Sequence, residues 1–324
     1  MTTKNSKLKI LVFGAGVLGS LYAARLQDAG QDVTAVARGK RYEDLKQHGI
    51  VLEYFDSGEE TRTAVKVVEK MPEDEYYDFC LVPIQKTQLK DALPILAANK
   101  MIPTFLFMVN SAEGPAVMVD ALGRERVVLG FANAGGERDG HLVRLMFAKG
   151  RAITMGELDG KTSDRLEQIA SAFREADIPV EFSSNMDAWL RYHVALVGPL
   201  ANAMYMAGAC NYKLAQHPEI VRKGLRGMRE AFRVLQAHGF PAEPPMIKTV
   251  FAIPEFILVP LARKLFGSKL LDIGGARHAR SARAEMTKLN EELLDLARQA
   301  GIKTPYLDEL HRYADPAVPP AVFG

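Results

Sequence analysis

Residues 8–19, L-K-I-L-V-F-G-A-G-V-L-G, constrain the fold of this 324-residue chain more than any other stretch. A continuous apolar run that ends in glycines is the pattern of a strand buried on both faces of a parallel sheet. V-L-G-S-L-Y-A-A-R-L-Q-D-A-G then has helical periodicity through Val17, Leu21, Ala24 and Leu26, and Gly30 stops it. Gly14, Gly16 and Gly19 keep a spacing with a mechanical reason. The first makes a tight turn, the second lets the backbone approach a pyrophosphate, and the third lets helix and strand pack closely. Val17 and Leu18 open the helix, whose N-terminus faces the phosphates. Gly14, Gly16, Val17, Leu18 and Gly19 are therefore candidate dinucleotide-binding residues; a purely structural glycine turn is the alternative.

The end of the second strand, 32–38, bears on which dinucleotide. A site that binds a free ribose 2′-OH places Asp or Glu there. Here the positions read Ala37-Arg38-Gly39-Lys40-Arg41, with three cations and no carboxylate. A guanidinium binds a 2′-phosphate in a bidentate way. The expectation is NADP(H), with Arg38 as the main contact; a solvated basic turn is the alternative.

Strands alternate with helices through the first half. Strands are expected at 77–84, 104–110 and 126–132, and helices at 42–49, 87–98, 112–122 and 162–177. Antiparallel additions are expected at 141–147 and 152–157, with a closing strand at 178–183. This order predicts a doubly wound α/β sheet. After about residue 184 nearly everything reads as helix: 185–208, 217–238, 244–266 with proline breaks, and 278–300. The expected domains are 1–183, binding the dinucleotide, and 184–324, a helical substrate and dimerisation domain. Ligands bind at the carboxyl edge of such sheets, which makes Asn110, Gln85 and Lys86 candidate cofactor residues. Asn110 and Ser111 read equally well as helix N-caps, and Lys86 as a solvated strand-end lysine.

Hydrophobic residues make up 48% and charged residues 25%, the proportions of a soluble globular protein, with a net charge of +2. There is no basic block with interleaved aromatics, so nucleic acid is not an expected partner. Cys80 and Cys210 stand in apolar surroundings and read as reduced thiols of a cytoplasmic protein. The polar opening M-T-T-K-N-S-K-L-K-I has no signal-peptide character. The apolar run 249–266 holds Glu255 and two prolines and is too short to span a bilayer. It reads as a core helix, a pocket wall, a lid or a homodimer surface, with a membrane-surface helix as the remaining alternative. The seven histidines are scattered, and no metal-ligand spacing occurs. The tail, A-D-P-A-V-P-P-A-V-F-G, reads as an extended, proline-stiffened end.

A cation stands in an apolar helix at A-W-L-R-Y-H-V-A-L-V-G-P-L-A-N-A-M-Y, 188–205. Asp187, Arg191, Ala195, Gly198 and Asn202 share one stripe, and the Gly198-Pro199 pair predicts a break with a small-residue gap. The stripe is expected to face the nicotinamide across an interdomain cleft. Arg191 there holds a substrate anion or, alternatively, pairs with Asp187. His193 lies off the stripe and reads as structural.

An N-terminal GxGxxG, an Arg after the second strand, an Asn loop after the fourth, and a Trp-led helix opening a helical second half follow in order. A late Glu then lies on a helix that ends in G-I-K-T-P (301–305). The chain resembles the ketopantoate reductase (2-dehydropantoate 2-reductase) family, relatives of 6-phosphogluconate dehydrogenase in their second domain. The resemblance spans nearly the whole chain, and the order of Asn110, Trp189, Glu285 and GIKTP is its most specific part. It implies a Rossmann-type N-terminal domain and an all-helical C-terminal domain of the 6-phosphogluconate dehydrogenase type. It also implies NADPH-dependent reduction of a 2-oxo acid, ketopantoate to pantoate, a step of pantothenate biosynthesis.

On the Trp-led helix the family carries a general-acid lysine, two substrate asparagines and a proline. Trp189 and Pro199 match, Arg191 takes the lysine position, and Ala195 and Gly198 take the asparagine positions. The family's lysine after the strand 77–84 falls on Gln85, beside Lys86. Its substrate serine falls near Ser268, and its glutamate on Glu285. Arginine does not give up a proton near neutral pH. Arg191 is thus expected to clamp a carboxylate, and Glu285, its acidity tuned by desolvation, to donate the proton. Glu285 as a water-orienting group, or as a surface carboxylate paired with Lys288, is the alternative. Asn202, Asn110 and Ser268 complete the expected substrate set, and the small residues at 195 and 198 are expected to enlarge the pocket for a bulkier or less polar 2-oxo acid. An opine-type or 3-hydroxy acid dehydrogenase, and a non-catalytic NADP-binding sensor, are the competing functions.

Overall fold

The computed structural model describes residues 7–55, 57–132, 134–146 and 152–322. The polar opening through residue 6, the end of the 141–147 stretch at residue 147, and the last two residues of the tail lie outside the described residues. Contacts divide the chain into two compact units. One is Met1–Val109 with Pro115–Met186, and the other is Asn110–Gly114 with Asp187–Gly324.

The first unit opens with β1 (Lys9–Phe13), α1 (Val17–Asp28), β2 (Asp32–Val36) and α2 (Lys40–His48). Next come β3 (Ile50–Tyr54), β4 (Glu60–Thr63), β5 (Lys66–Val68), β6 (Phe79–Val82), α3 (Lys86–Ala98) and β7 (Phe105–Phe107). It closes with α4 (Ala116–Leu122), β8 (Val127–Phe131), β9 (Gly135–Asp139), β10 (Leu142–Met146), β11 (Ile153–Glu157), α5 (Asp164–Glu175) and β12 (Val180–Phe182). The main sheet runs β12-β11-β8-β7-β6-β1-β2-β5. Its six strands from β5 to β8 are parallel and stand in the 3-2-1-4-5-6 order of a doubly wound sheet. β1 is therefore central, which is why its apolar run is unbroken: Ile10, Leu11 and Val12 are fully buried. The amphipathic α5 is started by Ser163, whose hydroxyl accepts the Leu166 N–H at 3.2 Å, and buries Leu166, Ile169 and Phe173.

Two local expectations change. β11 does add antiparallel to β8, but β10 joins a second sheet, β4-β3-β10-β9, running parallel to β3 and antiparallel to β9. This sheet is half exposed and charge-rich, so apolar runs do not mark it; Arg144 crosses it to Glu53 and Asp139, each at 3.1 Å. α4 begins at Ala116 rather than 112, because residues 110–114 form a loop that groups with the second unit.

The second unit is helical: α6 (Met186–Met206), α7 (Asn211–Gln216), α8 (Pro218–Ala237), α9 (Met246–Ala252) and α10 (Glu255–Phe266) come first. α11 (Lys269–Leu271), α12 (Arg277–Ser281), α13 (Arg283–Gln299) and α14 (Pro305–His311) complete it. The expected break at Gly198-Pro199 is absent, and α6 runs unbroken through Pro199. Beside Pro199, α8 presents two glycines to α6. A Cβ at Gly227 would stand 3.3 Å from the Pro199 ring, and one at Gly224 would stand 3.2 Å from Ala203 Cβ. The helices thus approach at small residues, and the core gathers around Tyr192, Ala195, Met228, Phe232, Leu289 and Leu293. The apolar run 249–266 splits into α9 and α10 at Pro254; Leu258 and Val259 are buried, while Phe256 and Leu261 are exposed. Among the described residues no helix is long and apolar enough to cross a membrane.

Candidate active site

In the first unit the glycine loop has the shape its spacing predicts. Gly14 has φ +110°, a conformation L side chains rarely adopt, and a Cβ on it would lie 3.2 Å from Ile84 Cγ2. Gly19 faces the Gly14 carbonyl so closely that a Cβ would overlap it. Gly16 differs, with an ordinary φ of −73° and nothing within 4 Å of the place its Cβ would take. The loop therefore has two glycines required by its own packing and one that leaves open space before the N-terminus of α1. Val17 and Leu18 form that first turn, which holds no acidic residue. The fit is to an anion lying against backbone amides.

The three cations after β2 part company. Arg38 is exposed and, among the described residues, makes no hydrogen bond or ion pair. Lys40 is paired with Asp44 at 3.3 Å. Arg41 is buried, donating to the Ala15 carbonyl at 3.0 Å, the His141 carbonyl at 3.1 Å and Ser20 Oγ at 2.8 Å. Burial, with Arg138 nearby, lowers its pKa to about 10. It ties the glycine loop to α2 from behind, a role not legible in a run of basic letters.

Gln85 stands at the N-cap of α3, where its N–H donates to Gln88 Oε1 at 3.1 Å. Lys86 is buried and engaged, which removes the reading of a solvated strand-end lysine. Asn110 is half-buried and is not an N-cap; Pro115 takes that position for α4. Ser111 is not an N-cap either, since its hydroxyl accepts the Gly114 N–H at 3.2 Å within the loop.

In the second unit the loop 110–114 is held by two oppositely charged side chains. Glu292 of α13 accepts the N–H groups of Ala112 and Glu113 at 2.8 and 3.2 Å. Arg191 of α6 donates to the carbonyls of the same two residues, to Glu113 at 2.9 Å, and to Asp187 at 2.9 Å. Its guanidinium also lies over the Phe240 ring, 4.0 Å from the centroid. Gly114, at φ +89°, makes room for the guanidinium, because a Cβ there would overlap it. Of the two expectations for Arg191, the ion pair with Asp187 forms, and the rest of the fork donates to loop carbonyls.

The other substrate-side residues divide in the same way. Glu285, in the first turn of α13, is 3% exposed, so the surface-carboxylate reading fails; Lys288 pairs instead with Glu113 at 3.7 Å. The gap expected at Gly198 is filled. A Cβ there would meet Asn290 Oδ1 at 3.0 Å, and Asn290 is itself held by its Nδ2 donating to the Met286 carbonyl at 2.8 Å. An amide from α13 thus occupies the space left by the small residue on α6, and Ala195 is fully buried, so neither position enlarges a pocket. Asn202 is fully buried, and neither its Nδ2 nor its Oδ1 has a hydrogen-bond partner among the described residues. Ser268 caps α11, accepting the Leu271 N–H at 3.3 Å and donating to the Leu265 carbonyl at 2.6 Å. His193 is stacked on Trp189. No cluster of metal-ligating side chains occurs among the described residues.

GIKTP leads into α14, whose first N–H groups, of Tyr306 and Leu307, donate to the buried Glu230 at 3.0 and 2.9 Å. Burial raises the Glu230 pKa above the ordinary carboxylate range. Glu292, Asn290 and Glu230 were not singled out by sequence; each is a polar letter on an amphipathic helix. The one signal for Glu292 is that it lies two turns beyond Glu285 on α13.

Residues 10–160 match the family profile described as Ketopantoate reductase PanE/ApbA. The chain is 24% identical over 310 residues to a 2-dehydropantoate 2-reductase of Aquifex aeolicus, covering 92% of this chain and 93% of that protein. It is 20% identical to the enzyme of that name from Pyrococcus abyssi, covering 92% and 94%. Among solved structures, a ternary complex of D-mandelate dehydrogenase with NADH and anilino(oxo)acetate is similar in fold, with a TM-score of 0.78 at 15% identity over 95% of this chain and 97% of that one. A 2-dehydropantoate 2-reductase from Geobacter metallireducens matches with a TM-score of 0.77 at 18% identity, over 96% and 100%. Residues 10–160 carry this family's profile and the 2-dehydropantoate 2-reductases stay similar on through the helical unit, so over nearly its whole length the chain resembles the ketopantoate reductase family.

Proposed function

We propose that this protein is an NADPH-dependent reductase of a 2-oxo acid, with ketopantoate as the first substrate to test. The observation that carries the reading is the glycine loop, whose one uncrowded position, Gly16, stands before α1 while Arg38 is exposed and, among the described residues, without an ion pair. In this reading Gly14, Gly16, Val17, Leu18 and Gly19 hold the pyrophosphate, and Arg38 the 2′-phosphate. Gln85, Lys86 and Asn110 complete the cofactor set. When bound, a reduced nicotinamide supplies the hydride for the carbonyl carbon. The chain must then supply a proton to the alkoxide oxygen and polar partners to the acid.

Glu285 is the proton donor of this proposal, being a buried carboxyl at the family's glutamate position. Asn202 offers a buried amide with both its donor and its acceptor unused. Arg191 acts as a positioning residue, holding the loop that carries Asn110. Because the space at Gly198 is filled, the substrate need not exceed ketopantoate in size.

A second reading, a non-catalytic NADP-binding sensor, is favoured by one observation: the family's general-acid lysine is replaced by an arginine committed to backbone carbonyls. NADPH oxidation by the purified protein with ketopantoate, and with bulkier acids such as phenylglyoxylate, decides between them. Turnover of ketopantoate supports the reading in full, and turnover of bulkier acids alone moves the substrate. Tight NADPH binding without any turnover sinks the reductase and leaves the sensor.

A further inference from the structure

The second unit contains a cavity of about 590 Å³ between α8, the segment from 240 to 248, α9 and the start of α14. This is within the range of small-molecule sites, roughly 300–1,000 Å³. On α6 it is reached by Tyr192, which stands one residue round the helix from the stripe of Arg191 and Asn202. Its floor is apolar, with Tyr192 and Phe232 set edge to face at 5.1 Å beside Ala242 and Ile247.

Its walls are cationic. Arg222, Arg226, Arg229 and Arg233 recur along one face of α8 at helical spacing, and the last three line the cavity together with Lys248. One carboxylate answers the first three of the row. Glu255 takes a two-point contact from Arg226 at 2.9 and 3.0 Å, one from Arg229 at 3.0 Å, and lies 3.8 Å from Arg222. Glu230, one turn before Arg233 and near enough to feel its charge, gives one carboxylate oxygen to the N–H groups of α14 and makes no ion pair with Arg233. Arg233 and Lys248 are exposed and have no hydrogen bond or ion pair among the described residues. Glu255 thus shows how this arginine row receives a carboxylate, and Arg233 and Lys248, with no ion pair among the described residues, stand over an apolar floor.

We infer that this cavity is a binding site for an amphiphilic organic carboxylate, an aromatic or acyl body ending in one anionic group. The body covers Tyr192, Phe232 and Ile247, and the carboxylate lies between Arg233 and Lys248. The inference rests on the second unit alone and does not depend on the reductase reading.

The test uses the full chain and 8-anilinonaphthalene-1-sulfonate as a fluorescent aromatic anion, with decanoate as the competing carboxylate. The expected result is saturable binding, displaced by decanoate and unaffected by saturating NADPH. Arg233→Glu with Lys248→Glu should weaken it about tenfold or more, the scale of reversing two charge-assisted contacts. Arg233→Gln with Lys248→Gln should give a smaller loss, and keeps the test alive should the reversed pair melt early. Unchanged affinity in both double variants, displacement by NADPH, or failure of decanoate to compete would each overturn the assignment.

Discussion

Arg191 and Glu292 hold the same two peptide groups from opposite ends. The guanidinium donates to the carbonyls of Ala112 and Glu113, and the carboxylate accepts their N–H groups. Arg191→Ala would leave buried carbonyls and Asp187 without their donor, at a cost of about 3 kcal/mol in urea unfolding. Arg191→Lys keeps the charge but not the fork and should recover only part of this. An Arg191→Lys protein as stable as wild type, with its KM for the acid raised about tenfold, would restore the substrate-clamp role.

Gly198 and Asn290 share one space. Gly198→Asn restores an amide to α6 but collides with the one from α13. It should destabilise by about 1–3 kcal/mol, the cost of overpacking. Adding Asn290→Ala should return part of that loss, giving a coupling of about 1 kcal/mol in a double-mutant cycle. Additive effects would mean that the two positions do not compete.

The glycine loop makes a split prediction. Gly16→Ala meets nothing within 4 Å and should fold and melt like wild type while losing NADPH affinity. Gly19→Ala must move the Gly14 carbonyl and should lower the melting temperature itself. Equal NADPH affinity for Gly16→Ala and wild type, by fluorescence titration, would show that no pyrophosphate lies against this position.

Arg38→Ala should weaken NADPH about tenfold or more, the loss of a charge-assisted fork on phosphate, and leave NADH nearly unchanged. Parallel titrations with the two nucleotides check it. A wild-type protein that prefers NADH would end the 2′-phosphate assignment.

Glu255 predicts an acid limit. The Arg226 fork, with Arg229 and Arg222 behind it, holds its carboxyl below the usual range. The unfolded chain therefore takes up this proton more readily than the folded one. The stabilisation is complete above the ordinary carboxylate pKa, around pH 4, and is lost as pH falls through the depressed value. Melting curves of wild type and Glu255→Gln should differ near neutrality and converge at the acid end. A constant difference across that range would contradict the assignment.

Local pattern made much of this protein legible. The buried run 8–13, the three glycines and the alternation through 132 follow from short-range rules, and the structure returns them as the centre of a doubly wound sheet. The second sheet was not legible, because its strands are short and its two hairpins, β3-β4 and β9-β10, are joined only by the pairing of β3 with β10, far apart in sequence. The α6 stripe was legible as a stripe but misread in content. A sequence shows that Gly198 is small, and says nothing of Asn290 reaching in from α13.

Backbone conformation and periodicity are local, so the sequence alone determined the glycine turn, the central strand and the change from α/β to helix. The partners of buried charges are set by which helices meet. Only the tertiary structure therefore decided that Arg41 braces the glycine loop, that Arg191 and Glu292 grip one loop between them, and that Glu285 is buried rather than solvated. A charge removed from water must find its counterpart wherever the fold brings one, and neither spacing nor composition records that meeting.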